Sequence, residues 1–203
     1  YKYFYISLLA AAFLLLANGV LYVSYGTLNM ADLAERIAAD PTAPLLTTGI
    51  ALLMATFMIK SAVFPFHFWQ PDFHTAAPTA VSAMLSSVVV KLGVYGFMRM
   101  TTLLFVEQAA LIQTLLVVLG VIGIFFGGFS AIGTHNVKRM LAYSTLAQIG
   151  FILVGVGWGT PLSLAAALVF TINHSLIKAA MLMLAGFVAS RASVKSAAFA
   201  VVT

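Results

Sequence analysis

Of 203 residues, 63% are apolar, 7% are charged and none is cysteine, against about 45–50% apolar and about 25% charged in soluble domains. A water-soluble chain of this length could not bury so much apolar surface, and without thiols, disulfides, cysteine-held iron–sulfur clusters and cysteine nucleophiles are excluded within it. The net charge of +5 does not point to nucleic acid, because three of the ten Lys/Arg residues sit inside apolar runs and most others flank them, where basic residues orient a membrane protein.

The chain is read as one integral membrane domain over residues 1–203, an all-α polytopic transmembrane helix bundle in contact with the lipid bilayer. A spanning helix needs about 20 mostly apolar residues. Six runs qualify: Tyr5–Val23, Leu45–Phe64, Ala80–Met98, Ala109–Ile132, Met140–Val156 and Leu162–Val188. Barrel strands are about half as long and alternate in polarity, so a barrel is set aside. The chain opens without methionine inside an apolar pattern and closes on Ser196–Thr203, which reads like the first turns of another apolar helix. The expectation is an internal portion of a longer protein.

The first run carries Asn18-Gly19 and no charge, an amide read as an interhelical hydrogen bond. After it, Leu33 and Ile37 stand four apart with Asp32, Glu35 and Arg36 elsewhere around the wheel, the pattern of a short amphipathic helix lying at the interface. Pro41 and Pro44 end it.

The second run ends in Lys60-Ser-Ala-Val-Phe-Pro-Phe-His-Phe-Trp-Gln-Pro-Asp72. Pro65 has no N–H, and its ring clashes with the carbonyl four residues back, that of Ser61. A broken helix is therefore expected near Lys60–Pro65, with backbone carbonyls left free. Trp69 fits the interfacial aromatic belt. His67 and His74 could be metal ligands, but no soft third ligand is near; facing water or a vestibule is the commoner role. Asp72 could attract cations, although capping and turn roles are commoner for Asp in such corners.

Lys91 lies 91 − 60 = 31 residues beyond Lys60, inside the third run, with Ser87 and Tyr95 at four-residue steps and hence on its face. Each charged side chain at mid-bilayer depth costs about 2.5–3.5 kcal/mol, which makes these lysines hard to explain as filler. A hydroxyl below and a phenol above would give Lys91 hydrogen-bond partners. Arg99 snorkels.

Gly123 and Gly127 of the fourth run form GxxxG, a packing pattern. Asn136 is placed to cap the fifth helix, and Lys138 and Arg139 to anchor topology. Within that helix Ser144 and Gln148 share a face, lining a water path or joining helices. The sixth run carries Thr171, His174 and Lys178 on one side. Intramembrane ionisable residues commonly mark proton relays, and histidine titrates near neutrality. Lys2, Lys138, Arg139, Arg191 and Lys195 fall on one side of the membrane, Arg36 and Arg99 on the other. The positive-inside rule makes the first side, with Pro65–Asp72, cytoplasmic.

The Lys60–Asp72 stretch, Ala77-Pro-Thr-Ala-Val-Ser82, Lys91-Leu-Gly-Val-Tyr-Gly96, Asn136–Gly150 and Asn173-His-Ser-Leu-Ile-Lys-Ala-Ala180 together resemble the antiporter-like subunits shared by respiratory complex I, Mrp-type sodium/proton antiporters (the D-type subunit) and membrane-bound hydrogenases. The resemblance covers nearly all of this chain and about half of the family's length. It implies fourteen helices with two inverted repeats and two broken helices, the second run being the first of those. Lys60 would be the broken-helix lysine, Lys91 its relay partner and His174 a relay position in the later half-channel. Gln148 stands where some members have histidine, Gln70 replaces a more usual leucine, and the family's glutamate and second broken-helix lysine lie outside this sequence. Lys91, rather than histidine, favours the Mrp D-type, hydrogenase and inner complex I subunits.

The expected function is proton translocation as a subunit of a cation/proton antiporter or a complex I-related redox pump. Protons would step among Lys60, Lys91, His174 and Lys178 through water, Ser87, Tyr95, Ser144, Gln148 and Thr171. Expected partners are other membrane subunits and protons, with sodium a further candidate. No cofactor or metal is expected, redox chemistry is not assigned to this chain, and the setting is a prokaryotic energy-transducing inner or plasma membrane. The rivals are a non-conducting scaffold that docks neighbouring subunits and a quinone-binding subunit.

Overall fold

A computed structural model describes residues 1–191, so Lys195 and the helix expected from Ser196 lie outside the described residues. It is helical throughout, with no strand among those residues. Five stretches are long and apolar enough to cross a membrane: Lys2–Tyr25, Thr79–Leu104, Ala109–Ile132, Val137–Gly157 and Pro161–Arg191. The second apolar run enters as a shorter apolar helix, Leu46–Lys60, that stops partway.

Helix α1 (Lys2–Tyr25) is apolar around its whole circumference and ends where Gly26 adopts φ 70° and returns its N–H to the Tyr22 carbonyl. This left-handed cap suits glycine. Helix α2 (Met30–Ala39) starts at Asn29, whose side chain accepts from the Ala31 N–H, and buries Leu33 and Ile37, as the amphipathic reading expects. Arg36 fastens it to α1 by donating to the Tyr25 carbonyl at 2.7 Å.

Helix α3 (Leu46–Lys60) has 15 residues, about 22 Å of rise against about 30 Å of hydrocarbon. It stops at the lysine. Ala62 takes φ 53° and the Phe64–Pro65 peptide is cis. The chain resumes through a 3₁₀ turn at Phe66–Phe68 and α4 (Trp69–Ala76). The broken helix falls where the proline predicts it, but the carbonyls expected to be free are occupied. Phe57 O takes the Ser61 N–H and Met58 O the Val63 N–H. Ile59 O takes the indole Nε1–H of Trp69 at 3.2 Å. Trp69 is thus no interfacial belt residue: it is 2% exposed, packs on Tyr3 and Phe73, and staples the two pieces together.

The third apolar stretch, Thr79–Leu104, is interrupted twice. Helix α5 (Thr79–Met84) leads into a π-turn at Leu85–Val89, then α6 (Val90–Arg99), then a second π-turn at Met100–Leu104. Helices α7 (Ala109–Ile132) and α8 (Val137–Gly157) follow, Asn136 capping α8 through the Arg139 N–H. They pack closely because Gly120, Gly123 and Gly127 face Gly150 and Ala147 with no side chain between. Helix α9 (Pro161–Arg191) closes the described chain.

Helix α8 lies between α7 and α9, with α4 and α6 also against it, while α1 packs on α3 and α3 on α6. Lys2, Lys138 and Arg139 meet at one end, as their common side requires. Asp72 pairs with Lys2 at 2.5 Å and with Arg139 at 3.7 Å, and Lys138 donates to Ala77 O at 2.9 Å. Asp72 therefore serves in ion pairs within the first turn of α4, not as the cap of a following helix. Lys138 is a tether between α8 and the α4–α5 corner. Outward residues such as Leu15, Phe125, Phe129 and Leu176 stay exposed, as lipid contact demands.

Candidate functional site

Lys91 occupies the middle of the third apolar stretch and is almost fully buried. The sequence places Ser87 one turn below it, but Ser87 lies within the π-turn at Leu85–Val89 and makes no hydrogen bond to Lys91. Ser87 donates to Met84 O instead. Within the π-turn Val90 N–H reaches back five residues to Leu85 O. The Ser86 carbonyl, which Val90 would serve in a regular α-helix, receives the Lys91 ammonium. Tyr95 is 54% exposed and, contrary to expectation, gives Lys91 no hydrogen bond. It shares with Lys91, Ser87, Thr171 and Ser175 the lining of a cavity of about 230 Å³, room for several waters at about 30 Å³ each.

Lys178 lies on α9, 3% exposed. Its Nζ donates to Ser144 Oγ at 2.8 Å and to Leu141 O at 3.3 Å, both on α8. Ser144 thus joins helices and serves a buried ammonium at once. Protein hydrogen bonds connect the two lysines. Ser86 Oγ and Thr145 Oγ1 are 2.9 Å apart, and Thr145 donates its one hydroxyl proton to Leu141 O at 2.8 Å. Ser86 must then be the donor in their shared bond. The order is Lys91, Ser86, Thr145, Leu141, Lys178. Each also rests on a carbonyl, which accepts hydrogen bonds but passes no proton on. The connection therefore holds the lysines in place; proton movement needs Ser144, a histidine or water.

His174 stands one turn before Lys178, buried and stacked on Phe170, with neither ring nitrogen bonded. Thr171 returns its hydroxyl to Ala167 O. Gln148 is half-buried on the Ser144 face and makes no hydrogen bond among the described residues. Lys60 stands apart from this group. It is half-buried, and its Nζ donates to Ser7 Oγ of α1 at 2.8 Å. No group of three or more His, Asp or Glu side chains among the described residues is arranged to hold a metal ion.

Three features escape the sequence reading. Ser7 is a lone serine in an apolar run, and nothing marks it as the partner of a lysine 53 residues away. Ser86 and Thr145 are ordinary small polar residues until packing joins them; the only signal was Ser86 beside Ser87. His74, expected to face water, has no exposed surface, and both its ring nitrogens are unpartnered. The packing of α4 against α8 turns it inward. His67 is half-buried and stacks on Phe64.

Residues 1–201 match the family described as NADH:quinone oxidoreductase/Mrp antiporter, transmembrane. The chain belongs to this family. The D-type subunit of a sodium/proton antiporter from Bacillus subtilis (strain 168) is 35% identical over 185 residues, covering 91% of this chain and 38% of the relative. The N-type subunit of an NADH-quinone oxidoreductase from Desulforudis audaxviator is 37% identical over 198 residues, covering 96% of this chain and 39% of the relative. The chain thus spans about two-fifths of the length of these curated relatives. Among solved structures, the Mrp complex from Dietzia sp. DQ12-45-1b superposes with TM-score 0.83 at 29% identity, over 91% of this chain and 34% of that one. A membrane-bound sulfane sulfur reductase, an archaeal respiratory membrane complex, gives 0.84 at 33% identity over 90% and 32%. As a member of the quinone oxidoreductase/Mrp antiporter family, the chain is an integral membrane protein whose relatives are subunits of multi-subunit complexes.

Proposed function

We propose that this chain is the proton-translocating part of an antiporter-like membrane subunit, working within a multi-subunit cation/proton antiporter or a related redox pump. The observation that carries the reading is the pairing of two buried lysines from different helices, Lys91 and Lys178, across Ser86 and Thr145. An isolated buried charge is costly, and a lysine gives up its proton more readily when desolvated and faced with a like charge. Two such amines on facing helices, joined through Ser86 and Thr145, are two proton-bearing stations in one bonded line. That is the property a stepwise relay needs.

His174 beside the pair is the further exchanging group. Ser144 is the hydroxyl that takes a proton onward from Lys178, and Ser87, Tyr95 and Thr171 line the cavity beside Lys91. Gln148 extends the Ser144 face without itself titrating. Lys60, tethered to Ser7 at the break before Pro65, is the separate station by which the charge of the pair is coupled to the broken helix. The partners are further membrane subunits and protons, with sodium as the candidate second cation. The membrane is that of a prokaryotic energy-transducing system, as the bacterial relatives suggest.

The test is proton flux in proteoliposomes containing the assembled complex. Lys91→Ala and Lys178→Ala each lower flux by about 10²-fold or more, with assembly intact by size-exclusion profile. Wild-type flux from both variants would remove the relay and leave the non-conducting scaffold. One feature favours that second reading: both ammonium groups end on backbone carbonyls.

A further inference from the structure

Helix α4 carries a second polar face that the relay does not use. Gln70 and His74 stand at i and i+4, side by side on one face of the helix, and neither has any exposed surface. The amide oxygen and nitrogen of Gln70 and both ring nitrogens of His74 lack hydrogen-bond partners. Most buried polar side-chain atoms are bonded to protein or to ordered water, and leaving one bare costs the full desolvation of that group. Four bare atoms on adjacent side chains therefore point to bound water, each water typically making about three hydrogen bonds. Gln70 is the more telling of the two, since its apolar neighbours Trp69 and Pro71 are equally buried and leucine would fill its volume at no such cost.

The place of this face in the bundle gives it a use. Helix α4 packs against α8, whose Leu141 and Ser144 hold the Lys178 amine and whose Thr145 is joined to Ser86 beside Lys91. The backbone carbonyl of His74 accepts from Ser82 Oγ at 3.3 Å, which fixes it at the α4–α5 corner. Three residues further on, Ala77 O receives the Lys138 ammonium, beside the exposed Lys2–Asp72–Arg139 ion pairs. His74 thus stands between the buried lysines and one end of the bundle. Both carbonyl-bound ammonium groups need a neighbour able to accept and release a proton, and an imidazole does both.

We propose that Gln70 and His74 form a water-holding seat on α4 in which His74 carries protons between the Lys91–Lys178 pair and the Lys138 end of the bundle, with Gln70 as the residue that positions its ring. This rests on the relay reading above. One bound water, held by the amide of Gln70, donates to one ring nitrogen, and a second accepts from the other. A proton moves from a lysine ammonium through the first water to the imidazole and leaves the other ring nitrogen through the second for the bundle end; the ring is then neutral in the opposite tautomer, and a ring flip restores the starting one.

The full-length subunit in its assembled complex, reconstituted in liposomes, serves for the test, by hydroxyl-radical footprinting of His74 and by proton flux against pH. In the wild type His74 is oxidised despite its enclosure, because radicals form from the water beside it. Gln70→Leu, which keeps the volume, lowers that oxidation several-fold and displaces the pH profile of flux. Gln70→Asn restores part of both. His74→Phe, or His74→Gln should the phenyl ring prevent assembly, cuts flux about tenfold or more. The charged groups that contribute to the profile are Lys91 of α6, Lys138 of α8 and Lys178 of α9, with the exposed Lys2–Asp72–Arg139 cluster beyond them at the bundle end. An unoxidised His74 in the wild type overturns the seat. Normal flux in the His74 variants beside a dead Lys91→Ala overturns the carrier alone. Normal flux in all of them overturns the relay reading and the carrier with it.

Discussion

Thr145 shows at the scale of one residue how packing creates chemistry. Its hydroxyl bridges Ser86 of the π-turn to Leu141 of its own helix, and so fixes Lys91 relative to Lys178. Replacing it with valine keeps the shape and strips the hydroxyl. Ser86 Oγ then loses its buried acceptor, at a cost of about 1–3 kcal/mol. Thermal unfolding of the purified protein should show the loss, and Ser86→Ala with Thr145→Val should cost less than the two separately, since they share one bond. The ionisable residues were legible as residues, because a charge in an apolar run is conspicuous. Their partners were not: Ser7, Ser86 and Thr145 become meaningful only when helices far apart in sequence are laid side by side.

At the scale of elements, the break after Lys60 was legible because proline chemistry is local. The π-turn at Leu85–Val89 was not, since no residue in Leu-Ser-Ser-Val-Val forbids a regular helix. It is tertiary packing that selects the wider turn, and with it the exchange of Ser87 for Ser86 beside Lys91. The short α2 was read from its pattern, and its attachment carries a pH signature. The hydrogen bond from Arg36 holds the Asp32 carboxyl below its usual range. A carboxyl depressed on folding stabilises the folded form above its unfolded value of about 4 and loses that contribution as pH falls through its lower folded value. Hydrogen-exchange protection over residues 30–39, taken relative to the intrinsic rate at each pH, should therefore be high at neutral pH and fall in acid. In Asp32→Asn the acid-dependent part should vanish. The side chains are exposed, so the effect is confined to α2.

For the whole molecule, the bundle is built around the α7–α8 contact, where Gly120 and Gly150 approach so closely that a Cβ on Gly150 would stand 2.5 Å from Gly120 O. GxxxG in α7 announced a close approach but not its partner. Gly150→Val should wedge the helices apart, costing about 1–3 kcal/mol or more and lowering the unfolding temperature in detergent. Because α8 also bears Ser144 and Thr145, flux should fall in the same variant. The six apolar runs and their shared end could be read from hydropathy and flanking charge. Which helices touch could not, because lipid-facing and buried apolar residues look alike in sequence: α1, α7 and α9 are largely exposed apolar surface.

The grip of Lys178 on Ser144 has one more effect. A charged amine has three hydrogens and no lone pair, so the serine can only be the recipient. Once neutral, the same nitrogen has two hydrogens and a lone pair, and the hydroxyl is free to swing round and point at it. Ser144 then works as a compass needle whose heading reports the state of its neighbour. Its O–H stretch in an infrared difference spectrum would read out, turnover by turnover, whether that site is loaded or empty.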